Sequence, residues 1–380
     1  MRAALYGTIF FLSFTSLLTS CREPDDIDPS TDTPTGEGED NAAAKGFYVL
    51  CEGSYGNNDS SLDYYDYTSG IYSRNIYAER NPQQVMGLGD VGNDLGIYGN
   101  KLYAVIGCSH RVEVMETGTA KHLGSFALMN CRYLAFDGGY AYVTSYGSNT
   151  PAVAGWGGDN RGYVAKVDTA TLQIVDTCIV GYQPEEMAVL DGRLYVANSG
   201  GYRVPDYDHT VSVIDLKTFS NVGTFDVGTN LHRMEAFPQQ GLLAVTSRGD
   251  YYQEPGALHL LEAKSGKEVA SWTIGSNAEL TAKGDTLYLY SSDWGSETCF
   301  QRLVVSDNVK SMNVPDTLLL GGDGLAAPYG MAVNPATGDL LVCDARDYIT
   351  PGRLHSYHAD GSEKWTTVTG VIPSRIAFVK

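Results

Sequence analysis

The residues best placed to do chemistry in this chain are aromatic, and they lie outside the apolar runs that build a core. Tyr55, Trp156, Tyr202, Tyr207, Tyr251, Tyr252, Trp294 and Tyr348 fall in Gly- and Asp-rich stretches, with Asn57 and His209 beside similar rings. Rings set among carboxylates and amides suit binding: they stack on flat or apolar ligand surfaces while the polar groups meet the ligand's rim. These ten residues are the expected ligand contacts. The signatures of covalent or metal catalysis are missing from the sequence. It has no Gly-x-Ser-x-Gly turn, no His-Glu-x-x-His and no Cys-x-x-Cys, and no Gly-Lys-Ser/Thr follows the run Gly321-Gly322-Asp323-Gly324. His232 with Glu235 would make an acid–base pair for a lyase, and Glu52 or the loop aspartates would serve hydrolysis, but no motif supports either. The chain is therefore expected to be no enzyme, with no metal and no required cofactor.

Such loops need a rigid frame, and the frame is a repeat. An apolar strand launched from a polar turn recurs near Phe47, Leu102, Ala141, Leu194, Leu242, Leu287 and Leu340. The spacing, roughly 40–55 residues, is that of four-stranded units stacked radially, because no single unit can bury its own apolar face. The expectation is an all-β, seven-bladed propeller of four-stranded antiparallel blades. Blades two to seven are expected near 94–128, 133–180, 186–227, 234–274, 278–314 and 330–368. The first blade has only three strands of its own, and the C-terminal segment from Ser374 to Val379 is expected to join it and close the ring.

Alternating strand direction sends the second-to-third-strand loops and the connections between blades out of one face. The short turns, such as Gly99-Asn100, Asp191-Gly192 and Asp360-Gly361, leave by the other. All the long aromatic segments belong to the first group, which makes that face the expected binding surface.

The first twenty residues read as an address. An apolar run follows Arg2 and ends in Leu18-Thr19-Ser20-Cys21, the pattern of a secretory leader. That ending resembles a bacterial lipobox, which implies lipidation at Cys21. The segment 21–45 is acidic and rich in Pro, Thr and Gly, as a disordered tether is, and the propeller should occupy 46–380. The net charge of −19, from 26 basic and 45 acidic residues, argues against nucleic acid as a partner. An exported chain permits disulfides. Cys108 and Cys131, near the long-loop face on adjacent blades, are the candidate pair. Cys51 and Cys343 suit buried thiols as well as a bridge.

Val211-Ser212-Val213-Ile214-Asp215, Pro184-Glu185-Glu186-Met187-Ala188-Val189 and Pro328-Tyr329-Gly330-Met331-Ala332-Val333 resemble strands of the YncE-like seven-bladed propeller family. Within it, the leader, the acidic stretch after Cys21 and the opening from Phe47 to Asn58 are similar to Bacteroidetes surface lipoproteins that capture cobalamin. One departure is Cys51, where that group usually has Asn. The resemblance implies a lipid-anchored, surface-exposed outer-membrane protein that binds cobalamin as a transported ligand. It would pass that ligand to a TonB-dependent outer-membrane transporter. A glycan- or peptide-binding propeller is the alternative on the same surface, with a lyase or hydrolase third.

Overall fold

The computed structural model describes residues 44–147, 161–293, 295–306, 315–322 and 324–380. Seven four-stranded antiparallel sheets follow one another along the chain. Each inner strand packs against the inner strands of the blades before and after it, so the seven close into a ring. In chain order after the first blade the inner strands are Gly92–Tyr98, Cys131–Asp137, Pro184–Leu190, Leu231–Phe237, Asn277–Lys283 and Pro328–Val333. The C-terminal strand Pro373–Val379 is the inner strand of the first blade and pairs with Gly46–Cys51. The expected closure and blade boundaries thus hold to within a few residues.

Two-residue alternation builds the core. In the second strand of blade four, Leu194 and Val196 face blade three while Tyr195 and Ala197 face blade five. The same split recurs in blade one, where Tyr48 and Leu50 pack toward blade two and Phe47 and Val49 toward blade seven. One apolar cluster fills each of the seven interfaces. No blade is stable by itself, because each of its faces is completed by a neighbour. The outermost strands carry the exposed edges; Ser220–Asp226 of blade four is solvent-facing along nearly its whole length.

The turns on the short face use the residues the backbone demands. Asp191 and Gly192 both have positive φ, 52° and 71°, the left-handed pair that a two-residue hairpin matching strand twist requires. A single short helix, Ile76–Arg80, is present among the described residues, between blades one and two. None of the helices there is long and apolar enough to cross a membrane.

Candidate functional site

The inner strands do not run cleanly into the ring. In six of the seven blades their first residues carry a register irregularity against the second strand. In blades three, four and five two residues occupy the space opposite one: Arg132 and Tyr133, Glu185 and Glu186, His232 and Arg233. A bulge re-aims a side chain that strict alternation would bury between blades. Here it turns both members of each pair toward the axis. Thr144 and Thr246 on the adjoining strands accept the freed backbone N–H of Tyr133 and Arg233 through their hydroxyls, each at 3.0 Å. Blade six keeps regular pairing and contributes Asn277 and Glu279, two residues apart on one face.

The result is a polar collar one or two residues below the loop-bearing face, a depth of roughly 3–7 Å at the strand rise. It encloses a cavity of about 120 Å³ lined by residues from Glu52 and Asn93 round to Ser374 and Arg375. Arg233 binds Glu186 at 2.8 Å and also pairs with Glu279. Arg375 binds the same two carboxylates at 2.9 and 3.2 Å and reaches Asp94 at 3.6 Å. On the other side a single carboxylate, Glu185, serves Arg132 at 3.4 Å and Arg248 at 3.7 Å and accepts the Tyr146 hydroxyl at 2.7 Å. The Tyr133 hydroxyl accepts from Arg233 at 2.8 Å and lies 3.4 Å from His232 Nε2. Tyr329 donates to Glu52 at 3.0 Å.

Burial sets the protonation of this collar, and the arginines modify it. Burial, reinforced by the charges of Arg233, Arg248, Arg375 and Arg132, drives the His232 imidazolium well below the usual range, so the ring is neutral. Burial would raise Glu185, but Arg132 and Arg248 outweigh it and hold the carboxyl below its ordinary value. Desolvation lifts Glu52 despite the Tyr329 hydrogen bond, and lifts Asp94 to about 6 despite Arg375. Glu235, further along the same strand as Arg233, is pushed up to about 8 by burial and by Glu186. Burial also raises the Tyr133 and Tyr329 phenols, which leaves neither as a ready base. The arrangement can bind polar groups and orient them.

The loop residues stand above this collar. Tyr55 and Tyr252 are almost fully exposed, at 83% and 93%, and Tyr202, Tyr251 and Tyr348 are about half exposed. Asn57 is exposed too. Tyr207 is half-buried with its ring 6.4 Å from that of Tyr251, edge to face. Two loop rings connect downward: Tyr202 meets Tyr146 edge-on at 5.8 Å, and Tyr348 meets Tyr329 likewise at 5.8 Å. Tyr146 and Tyr329 are the groups that hold Glu185 and Glu52, so loops and collar form one continuous surface. His209 is placed differently. Its Nε2 lies 3.1 Å from Asp226 on the outermost strand of blade four, at the rim. Trp156 and Trp294 lie outside the described residues.

Many of the loop acids are committed to their own backbones. Asp250 accepts the amides of Tyr252, Gln253 and Glu254, and Asp347 those of Ile349 and Thr350. The same bonds hold Asp347 at about 2. These turns present the neighbouring rings. Tyr251 and Tyr348 both have φ of 62°, a left-handed conformation that glycine adopts more cheaply.

The expected bridge between Cys108 and Cys131 is not formed. Both are free thiols, Cys108 exposed and Cys131 buried. Cys131 starts an inner strand and turns its sulfur into the interface with blade two, toward the carbonyls of Ile106 and Arg111 at 3.7 and 3.5 Å. Cys51 and Cys343 are separate buried thiols as well.

Most of the collar was missed by sequence reasoning, which named only Glu52, His232 and Glu235 from it. Arg132, Glu185, Glu186, Arg233, Arg248, Glu279 and Arg375 carry its charge. The available signal was a charged or polar residue just inside the start of each otherwise apolar inner strand.

The comparison with known families bears on this frame. The chain belongs to the family described as Domain of unknown function (DUF5074). The family model matches residues 45–364, which covers the DUF5074 propeller up to its last outer strand. No curated protein matches the chain. Among solved structures, this DUF5074 chain is similar to hydrazine synthase of Kuenenia stuttgartiensis, with 18% identity, 71% of this chain and 77% of that one covered, and a TM-score of 0.57. It is also similar to a quinonprotein alcohol dehydrogenase-like protein of Bacteroides thetaiotaomicron, with 15% identity, 88% and 78% covered, and a TM-score of 0.59. At these identities the likeness is one of fold.

Proposed function

We propose that this protein is a non-catalytic binding propeller that captures a bulky ligand on its loop-bearing face, and that the ligand is cobalamin or a related corrinoid. One observation carries the binding reading. Of the 17 large apolar side chains exposed among the described residues, nine stand on the connections of that one face: Tyr55, Val85, Met86, Tyr202, Val204, Tyr251, Tyr252, Tyr348 and Ile349. Hairpins alone would be served by short turns, such as the two-residue turns at 99–100, 138–139, 191–192 and 284–285 on the opposite face. A rim of exposed rings round a polar well suits a ligand with an apolar face and amide-bearing edges.

The choice of corrinoid comes from the resemblance of the leader and of the segment from Phe47 to Asn58. In that reading Cys21 carries the lipid, the protein sits on the outer membrane facing outward, and a TonB-dependent transporter receives the cargo. An oligosaccharide would use the same rings, and the test separates the two. Incubation with excess cyanocobalamin followed by desalting is expected to leave the protein fraction coloured at the corrin absorbance. Colourless protein, with no heat of binding in calorimetry, would reject the corrinoid. Retardation on a polysaccharide affinity gel would then support the glycan reading.

A further inference from the structure

On one side of the collar two arginines are ion-paired to one carboxylate, and the other carboxyl lining the cavity there, Glu52, is raised by burial toward its neutral form. Arg132 and Arg248 share a single carboxylate, Glu185, at 3.4 and 3.7 Å, distances at the loose end of ion pairing. Four polar atoms of residues lining the same cavity have no partner among the described residues: the nitrogens Arg132 Nε, Arg233 Nε and His232 Nδ1, and the acceptor Asn93 Oδ1. The residues His232 and Arg233 are 5% and 8% exposed, so bulk water does not serve these atoms freely. An unsatisfied buried donor is costly and usually marks an unfilled role. All four neighbouring arginines push the His232 ring the same way, which marks a positive field at that spot.

We propose that the mouth of the central channel is a binding site for a carboxylate group, received between Arg132, Arg248 and His232. The cavity of about 120 Å³ holds roughly four waters at their liquid volume of about 30 Å³ each. That is room for the end of a small organic acid. Two planar guanidinium groups offer paired donors matched to a carboxylate, and the loop ring of Tyr202 meets Tyr146, which hydrogen-bonds the Glu185 carboxylate that both arginines share. The carboxylate can belong to a free small acid or to the acidic end of a longer polar molecule whose remainder rests on the loops. This inference is independent of the corrinoid reading, since cyanocobalamin carries amides where this site calls for an acid.

The test is calorimetry on the intact protein with succinate and trigalacturonate, each against its neutral form, succinamide and the methyl ester. At least one acid should bind about tenfold or more tightly than its neutral form, the difference expected of one charge-assisted contact. Binding of succinate alone or of both acids identifies the carboxylate as sufficient. Binding of trigalacturonate only adds the loops to the site, and either outcome supports the proposal. Arg248→Met should weaken the acid by a similar factor, and Arg248→Lys should weaken it less. If the Met variant fails to fold, histidine-labelled wild-type protein gives the answer: the His232 ring signals should shift with the acid and not with the amide. Equal affinity for acid and neutral form, or no binding of either acid with unmoved His232 signals, would overturn the proposal.

Discussion

Glu235 offers the sharpest check on the electrostatics of the channel. Its carboxyl is held up to about 8, against an ordinary value of 4.5, by burial first and Glu186 second. Among the described residues no cation forms an ion pair with it. Because the folded-state value is raised, the folded protein binds a proton that the unfolded chain releases. Stability therefore falls as pH rises from about 4.5 to about 8, then levels. Each pH unit in that window is about 1.4 kcal/mol, so the full cost is roughly 3 kcal/mol at pH 7 and roughly 5 above pH 8. The side chain keeps part of its surface, and channel water relieves the charged form, so roughly half of these values is expected. Glu235→Gln keeps the shape of the protonated acid and removes the titration. Urea unfolding of both proteins between pH 5 and pH 9 should give similar stability at pH 5. The variant should become more stable by about 2 kcal/mol or more at pH 9. A gap that does not change with pH, or a variant less stable at pH 9, would refute the reasoning.

Two further outcomes test the collar and the loops. Glu185→Gln leaves the partly exposed Arg132 and Arg248 without their shared buried carboxylate, and should destabilise by about 2–3 kcal/mol in urea unfolding, below the cost of breaking a fully buried pair. Because the Glu185 carboxyl is held low in the fold, its contribution should be complete above the ordinary carboxylate range. It should vanish as pH falls through that lowered value, so the wild-type advantage over the Gln variant narrows in acid. Tyr251→Gly relieves a left-handed residue worth about 1 kcal/mol and loses the edge contact with Tyr207. Stability should stay within about 1 kcal/mol, while cyanocobalamin affinity falls at least tenfold if the ring is an anchor. Unchanged affinity would remove Tyr251 from the site.

The frame was legible because it is written in short-range patterns. Alternation in Leu194-Tyr195-Val196-Ala197 identifies a strand buried on both faces, and Asp191-Gly192 identifies its turn. Loop length and antiparallel direction then place Tyr202, Tyr251 and Tyr348 on one face without any tertiary information. The collar was not legible, for a physical reason. Its members come from all seven blades, so only ring closure brings Arg375 to Glu186 and Glu279. The bulges also break the alternation rule: by parity Arg132 and Tyr133 should face opposite ways, yet both turn to the channel. The cysteine expectation failed for a different reason. Proximity of Cys108 and Cys131 to one face says nothing of direction, and the Cys131 sulfur points into the blade interface.

The most direct measurement is hydrogen exchange of the intact protein with and without saturating cyanocobalamin. Protection is expected in 53–60, 199–209, 248–255 and 345–351, and at the start of the inner strands near Arg132 and His232. The short turns at 99–100, 191–192 and 360–361 should exchange at unchanged rates. Protection confined to those short turns, or none anywhere on the ring-bearing face, would contradict the assignment of that face as the place where ligand is held.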